Sequence, residues 1–162
     1  MNLFDQNCSA DGAIFSTDRR YRYLLWRSWE GFDRLVLFVG LNPSTADEKL
    51  DDPTIRRCKA FAKSWSASGF VIANLFAYKA TSPKVLLAES EPIGSENDKY
   101  LAYVSQIALR TVACWGNHGA HRDRASEVLP LLRKPEYLRL NQSGHPAHPL
   151  YLPSTLVPQK FD

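Results

Sequence analysis

Residues 34–45 read RLVLFVGLNPST, an apolar run that ends on Gly40 and passes at once into Asn-Pro-Ser-Thr. A run with no polar alternation suits a strand covered on both faces, as in a parallel sheet layered between helices. Downstream, DDPTIRRCKAFAKSW (51–65) places Asp52 to cap a helix and Pro53 at its first position, with Ile55, Cys58 or Lys59, and Ala62 at helical spacing.

The same alternation continues along the chain. GFVIANLFAY (69–78), RTVACWG (110–116) and YLRL (137–140) read as further strands. Helical periodicity in SENDKYLAYVSQIAL (95–109) and in the second half of NHGAHRDRASEVLPLLRK (117–134) separates them, and PKVLLAE (83–89) is long enough for one turn. In the helix at 95–109, Leu101, Val104 and Ile107 or Ala108 fall on one side. Before them, GAIFSTDRRYRYLLWRSW (12–29) reads as two aromatic strands around a polar turn. Strands alternating with helices predict an α/β fold: three layers, α/β/α, around a central four-stranded, mainly parallel sheet, plus an N-terminal β-hairpin. With 162 residues and neither a linker nor a repeat, residues 1–162 are expected to form one domain.

Composition narrows the function. An apolar share of 44% supplies a core and argues against disorder. The charge of +3 would tolerate nucleic acid or nucleotide phosphates without demanding them, since the basic groups RRYR (19–22), RR (56–57) and HRDR (121–124) are short. Cys8, Cys58 and Cys114 are odd in number and widely spaced, which speaks for reduced thiols rather than a disulfide framework or a cysteine-based zinc site. No apolar stretch reaches the ~20 residues that span a bilayer. The first residues, MNLFDQNCSADG, carry acid where a signal peptide carries base, so a cytoplasmic protein with no membrane partner is expected. Nothing implies a cofactor or an obligate protein partner.

In open parallel sheets, ligands bind beyond the carboxyl ends of the strands, near a switch in strand order. Four unusual segments are predicted to meet there: GLNPST (40–45), NLFAYKAT (74–81), WGNHGAH (115–121) and SGHPAHPLYLP (143–153). In the first, Gly40 allows close backbone approach and Pro43 stiffens the turn that carries Leu41, Asn42 and Ser44. Asn42 could order a water or a base edge, or could bond its own backbone as a turn residue. Asn74 ends a buried strand, where its amide offers a donor and an acceptor together, the complement of a base edge, or caps the next turn. Trp115 reads as core, whereas Asn117 and His118 lie in a polar loop that reaches the site. His145 and His148 stand in a proline-stiffened loop with Leu150 and Tyr151, which could position an imidazole or strap the core. The four histidines form two His-x-x-His pairs, but no acidic or cysteine ligand accompanies them and Pro146 interrupts one pair, so a metal site is not expected.

With these motifs in order, LNPSTAD, DDPTIRRC, NLFAYKAT, GSEND, WGNHG and GHPAHPLYLP, the chain is identified as a member of the bacterial and phage family called domain of unknown function 1643, over residues of about 13 to 153. Its layout also resembles the uracil-DNA glycosylase superfamily. GLNPS is similar to the first motif of the mismatch-specific uracil and thymine glycosylases, which implies a water-positioning role for Asn42. The resemblance implies a uracil-reading role for Asn74, and HPAHPL is similar to a loop whose His steadies the departing base and whose Leu enters DNA. That His is either His145 or His148, and the Leu would be Leu150. No aromatic residue closely follows Asn42-Pro43, so Phe76 or Tyr78 is left to stack on a base.

The expected function is a nucleobase-binding crevice, with DNA N-glycosylase action on uracil or a modified base as the leading reading. The alternatives are a non-catalytic nucleotide or nucleic-acid module, and an enzyme on free nucleotides or nucleosides with phosphate held by Lys79, Arg56 or Arg57. As a neutral amide, Asn42 would orient water rather than take its proton. Asp47, Asp51 and Asp52 are alternative bases, of which Asp52 is better explained as a helix cap.

Overall fold

A computed structural model describes residues 1–44 and 49–162. Seven strands, β1 (Asp11–Phe15), β2 (Arg22–Ser28), β3 (Leu35–Gly40), β4 (Gly69–Asn74), β5 (Arg110–Ala113), β6 (Glu136–Tyr137) and β7 (Gln159–Lys160), form one sheet in the order β1-β2-β4-β3-β5-β6-β7. Four helices accompany them among the described residues: α1 (Pro53–Ser64), α2 (Pro83–Ala88), α3 (Asn97–Ile107) and α4 (Arg124–Val128). The architecture is mixed α/β.

At its centre β4, β3, β5 and β6 run parallel. The alternating faces of β3 show why its run is unbroken. Leu35, Leu37 and Val39 enter the core on the side of α3 and α4, whereas Val36 and Phe38 pack with Ile55, Cys58 and Phe61 of α1. Helix α1 starts as its sequence dictates: Asp52 accepts from the Ile55 amide at 2.8 Å, and Pro53 takes a position that needs no donor. On α3, Leu101, Val104 and Ala108 are buried, whereas Ile107 stays 44% exposed, so Ala108 holds the inward position.

The expected sheet of four strands plus a hairpin needs correction. The hairpin does form, β1 against β2, but β2 then pairs antiparallel with β4 and extends the same sheet. The fourth parallel strand, expected at 137–140, is confined to Glu136–Tyr137. Beyond Tyr137 the chain leaves β5 because its backbone is claimed by the returning segment: Ala147 donates to the Arg139 carbonyl at 2.8 Å and Asn141 to that of His145 at 2.9 Å. The tail, read as turns, contributes β7 as an antiparallel edge on β6.

From β3 the chain moves to β4 on one side, then crosses to β5 on the other. The strand order therefore reverses at β3, and the crevice expected of such a reversal opens beside its carboxyl end. Among the described residues, no helix is long and apolar enough to cross a membrane.

Candidate functional site

A cavity of about 370 Å³ opens at that end of the sheet. This lies toward the small end of ligand pockets, roughly 300–1,000 Å³. Gly40, Leu41, Asn42 and Ser44 line it from the turn after β3, Asn74 from the end of β4, Asn117 and His118 from the loop after β5, and His148 from the last loop. All four predicted strand ends thus reach one crevice. Its floor contains Phe38, Cys58, Ile72, Cys114 and Trp115.

The turn after β3 is held from the segment that follows β4. Asn42 Nδ2 donates to the carbonyls of Pro43 at 3.0 Å and Ala80 at 2.9 Å, and the Ala80 amide donates back to the Pro43 carbonyl at 3.1 Å. The Asn42 amide nitrogen is therefore committed to the scaffold, while its Oδ1 accepts no hydrogen bond from the described residues. Pro43 itself is buried and stays out of the lining.

Asn74 differs from Asn42. Only 3% exposed, it lines the crevice, and its buried side-chain Nδ2 has no hydrogen-bond partner among the described residues. Its Oδ1 lies 2.8 Å from where a Cβ on residue 40 would stand, so only glycine there lets the carboxamide lie across the ends of β3 and β4. An unpaired buried donor costs about 1–3 kcal/mol, which a ligand acceptor would recover.

The two histidines of the last loop have different surroundings. His145 lies outside the lining; its Nδ1 accepts from Trp115 Nε1 at 3.3 Å, behind the crevice wall. His148 lines the crevice, and its Nδ1 accepts from the Leu150 amide at 3.2 Å, which puts the proton of the neutral ring on Nε2. Although much of His148 meets solvent, burial of the imidazole lowers its pKa, against the opposing pull of the Asp52 carboxylate. The ring therefore favours the neutral state, in which Nε2–H is a donor.

Asp52 is a lining carboxylate with both oxygens engaged: Oδ1 caps α1 and Oδ2 accepts from Ser44 Oγ at 2.8 Å. Asp51 stays out of the lining and pairs with the buried Arg27 at 2.9 Å. Asp47 lies outside the described residues. Burial raises both lining thiols, Cys58 well above its usual value and Cys114 to about 12, so neither is a ready nucleophile.

Several expected site residues lie elsewhere. Phe76 is fully buried with its ring near that of His121, because the chain turns inward once β4 ends at Asn74. Tyr78 packs on Tyr21 outside the lining. Leu150 is half-buried in a short turn and does not reach the lining, whereas its neighbour Tyr151 is 86% exposed. Arg56, Arg57 and Lys79 are not in the lining; Arg56 donates to the Asp51 carbonyl, Arg57 bonds the Leu152 carbonyl, and Lys79 lies over the Phe15 ring. Asn117, exposed at the rim, accepts from Asn141 at 2.9 Å and Ser143 at 2.6 Å, tying the loop after β5 to the last loop.

Sequence reading passed over Arg22, Thr54, Thr81, Ser82 and the two thiols, all of which line the crevice. Arg22 sits in RRYR, where alternation with tyrosine reads as a solvated edge, yet it is 3% exposed. Among the described residues, no three of His, Cys, Asp and Glu come together as metal ligands.

The family model described as a protein of unknown function (DUF1643) matches residues 22–150. No curated protein and no solved structure matches the chain.

Proposed function

The chain belongs to this DUF1643 family, and we propose that its crevice binds a nucleobase, with hydrolysis of an N-glycosidic bond to uracil or a modified base as the reaction. The observation that carries this reading is the buried Asn74, which lines the cavity and whose Nδ2 has no partner among the described residues. A carboxamide offers one donor beside one acceptor, which is the complement of an imide or amide edge of a base. A flipped or free base reaches it past the turn at residues 40–44.

As the glycosidic bond loosens, charge grows on the base oxygen, and the neutral His148 stabilises it as a preorganised Nε2–H donor. Asn42 turns its amide oxygen to the attacking water. Oriented water without a free carboxylate base makes for slow turnover unless the base is a good leaving group. The likeness of GLNPS and HPAHPL to uracil-DNA glycosylase motifs supports the same assignment, with His148 rather than His145 as the base-steadying residue.

A second reading, a nucleotide or nucleic-acid binding module without hydrolysis, has one observation in its favour: both oxygens of the lining Asp52 are spent on the helix cap and on Ser44. One experiment separates the two. Duplex and single-stranded oligonucleotides carrying uracil, hydroxymethyluracil or other modified bases are incubated with the protein and assayed for abasic sites. Base release that Asn42→Ala abolishes supports hydrolysis. Binding without release, lost in Asn74→Ala, supports the module, and neither binding nor release overturns the nucleobase reading. Lys79, Arg56 and Arg57, the residues expected to hold phosphate under the free-nucleotide alternative, stand outside the crevice.

A further inference from the structure

The two ladders that hold β4 run out at its carboxyl end. Pairing with β2 stops at Ile72 and pairing with β3 at Asn74. The next two amides are still satisfied, Leu75 donating to the Gly40 carbonyl at 2.9 Å and Phe76 to that of Leu41 at 3.0 Å. The carbonyls of Asn74 and Leu75 face away from β3, into the layer of α3 and α4, and buried carbonyls need donors.

Two side chains meet that need. Asn97, the first residue of α3, gives its Nδ2 to the carbonyl of Asn74 at 2.9 Å and to that of Leu75 at 3.1 Å. Arg124, the first residue of α4, gives its Nε to the Leu75 carbonyl at 2.8 Å, and its remaining nitrogens go to Asp98 and Glu127. Asn97 is fully buried and Arg124 is 1% exposed.

One of these bonds, to the Asn74 carbonyl, therefore holds the peptide unit that follows Asn74, and two, to the Leu75 carbonyl, hold the next unit. A change in the backbone angles at Asn74, which would redirect its side chain, would break the first and strain the other two. On the opposite side, the missing side chain of Gly40 leaves room for the carboxamide, whose Oδ1 lies 2.8 Å from where a Cβ would stand. We infer that Asn97 and Arg124 are positioning residues that aim the Asn74 carboxamide into the crevice, and so set which hydrogen-bonding edge the site accepts without touching the ligand. This inference rests on the nucleobase reading for its ligand, but the aim itself is a property of the protein alone.

The test uses both levels. The side-chain NH₂ resonances of Asn74 are assigned in a ¹H–¹⁵N spectrum by their disappearance in Asn74→Asp, then followed in Asn97→Ala and Arg124→Lys. Displacement or doubling of that pair, with crevice signals beyond residues 74–76 unchanged, is the expected result. Arg124→Lys keeps the charge and a long stem, and so serves where Asn97→Ala does not fold. In parallel, affinity is measured for otherwise identical oligonucleotides carrying uracil or cytosine, and the preference between them should fall about tenfold in the variants, more than either affinity falls. Unmoved Asn74 resonances in a folded variant overturn the inference, as does an unchanged uracil-to-cytosine ratio in a protein that binds both. Moved resonances in a protein that binds neither oligonucleotide uphold the positioning role and overturn the nucleobase reading instead.

Discussion

Replacing Gly40 by alanine puts a methyl carbon 2.8 Å from Asn74 Oδ1. Carbon–oxygen contacts normally begin near about 3.3 Å, so the methyl intrudes by about half an ångström. The backbone is poorly placed to yield: residue 40 is in register with Asn74 in the β3–β4 ladder, its carbonyl accepts from Leu75, the 74–75 peptide is held from behind by Asn97, and the 75–76 peptide by Asn97 and Arg124. What gives way is the carboxamide, turned about its side-chain bonds. An off-rotamer side chain costs about 0.5–1.5 kcal/mol, and alanine in a strand regains roughly 0.5–1 kcal/mol over glycine. The two nearly cancel, so stability should stay within about 1 kcal/mol of the parent.

Recognition does not share that balance. A donor and acceptor read together contribute about 1–3 kcal/mol of discrimination, so a misaimed carboxamide weakens binding about 5- to 150-fold at 1.4 kcal/mol per tenfold. Denaturant unfolding and fluorescence anisotropy with a uracil-containing oligonucleotide measure the two quantities on one protein sample. Gly40→Ala binding as tightly as the parent refutes the reasoning. So does a loss of binding that merely tracks a loss of several kcal/mol in stability, beyond the ~1 kcal/mol the balance allows.

Asn74→Leu removes a buried donor that has no partner among the described residues; it should raise the melting temperature by about 2–4 °C while abolishing nucleobase binding, and a lowered melting temperature would show the amide to be satisfied. His145→Ala loses the bond to Trp115 and should cost about 0.5–1.5 kcal/mol in denaturant unfolding, whereas His148→Gln should cost less and impair binding or base release more. Because burial lowers the pKa of His148, its contribution to stability is complete above the unfolded value of about 6.5 and is lost as pH falls through the lower folded value. Acidification from about pH 7.5 to about 5 should therefore destabilise the parent more than His148→Gln, as read by thermal unfolding at each pH. Cys58 and Cys114, raised by burial, should resist a thiol alkylating agent while the partly buried Cys8 reacts, and mass spectrometry of the adducts reads the order. Rapid alkylation of all three in the folded protein would contradict the buried floor.

What was legible in the sequence follows from how locally each feature is specified. β3 and β4 are unbroken apolar runs because both faces of each are covered, and that demand is written residue by residue. β6 and β7, two residues each, owe their pairing to their neighbours, and no composition marks them. The position of Asn74 was readable because a polar residue closes a buried run. Phe76 was misjudged because a strand continued for two more residues would point it the way Asn74 points, whereas the strand stops and the chain turns into the core. His145 and His148 each precede a proline, so only the folding back of Ala147 onto Arg139 distinguishes them. Arg22 escaped notice because a basic residue between tyrosines is ordinarily solvated.

The end of β4 also shows a choice that packing alone would not make. Among the described residues, Asn97 spends its amide nitrogen on two carbonyls and leaves Oδ1 buried without a partner, and Asn74 leaves Nδ2 in the same condition. An acceptor and a donor thus stand unpaired at one strand end, each costing about 1–3 kcal/mol. An apolar residue at position 74 would remove its share of that cost, and the strand would lose nothing, because the carbonyl that Asn97 grips belongs to the backbone. Sequences ordinarily satisfy buried polar groups, and each exception calls for a reason, of which a ligand that completes the set is one. Asn97 therefore belongs to the scaffold, its orphan oxygen the by-product of holding two carbonyls at once, whereas Asn74 lines the cavity and its amide nitrogen holds no group among the described residues. On the proposed reading, that asymmetry gives recognition to Asn74 and its aim to Asn97.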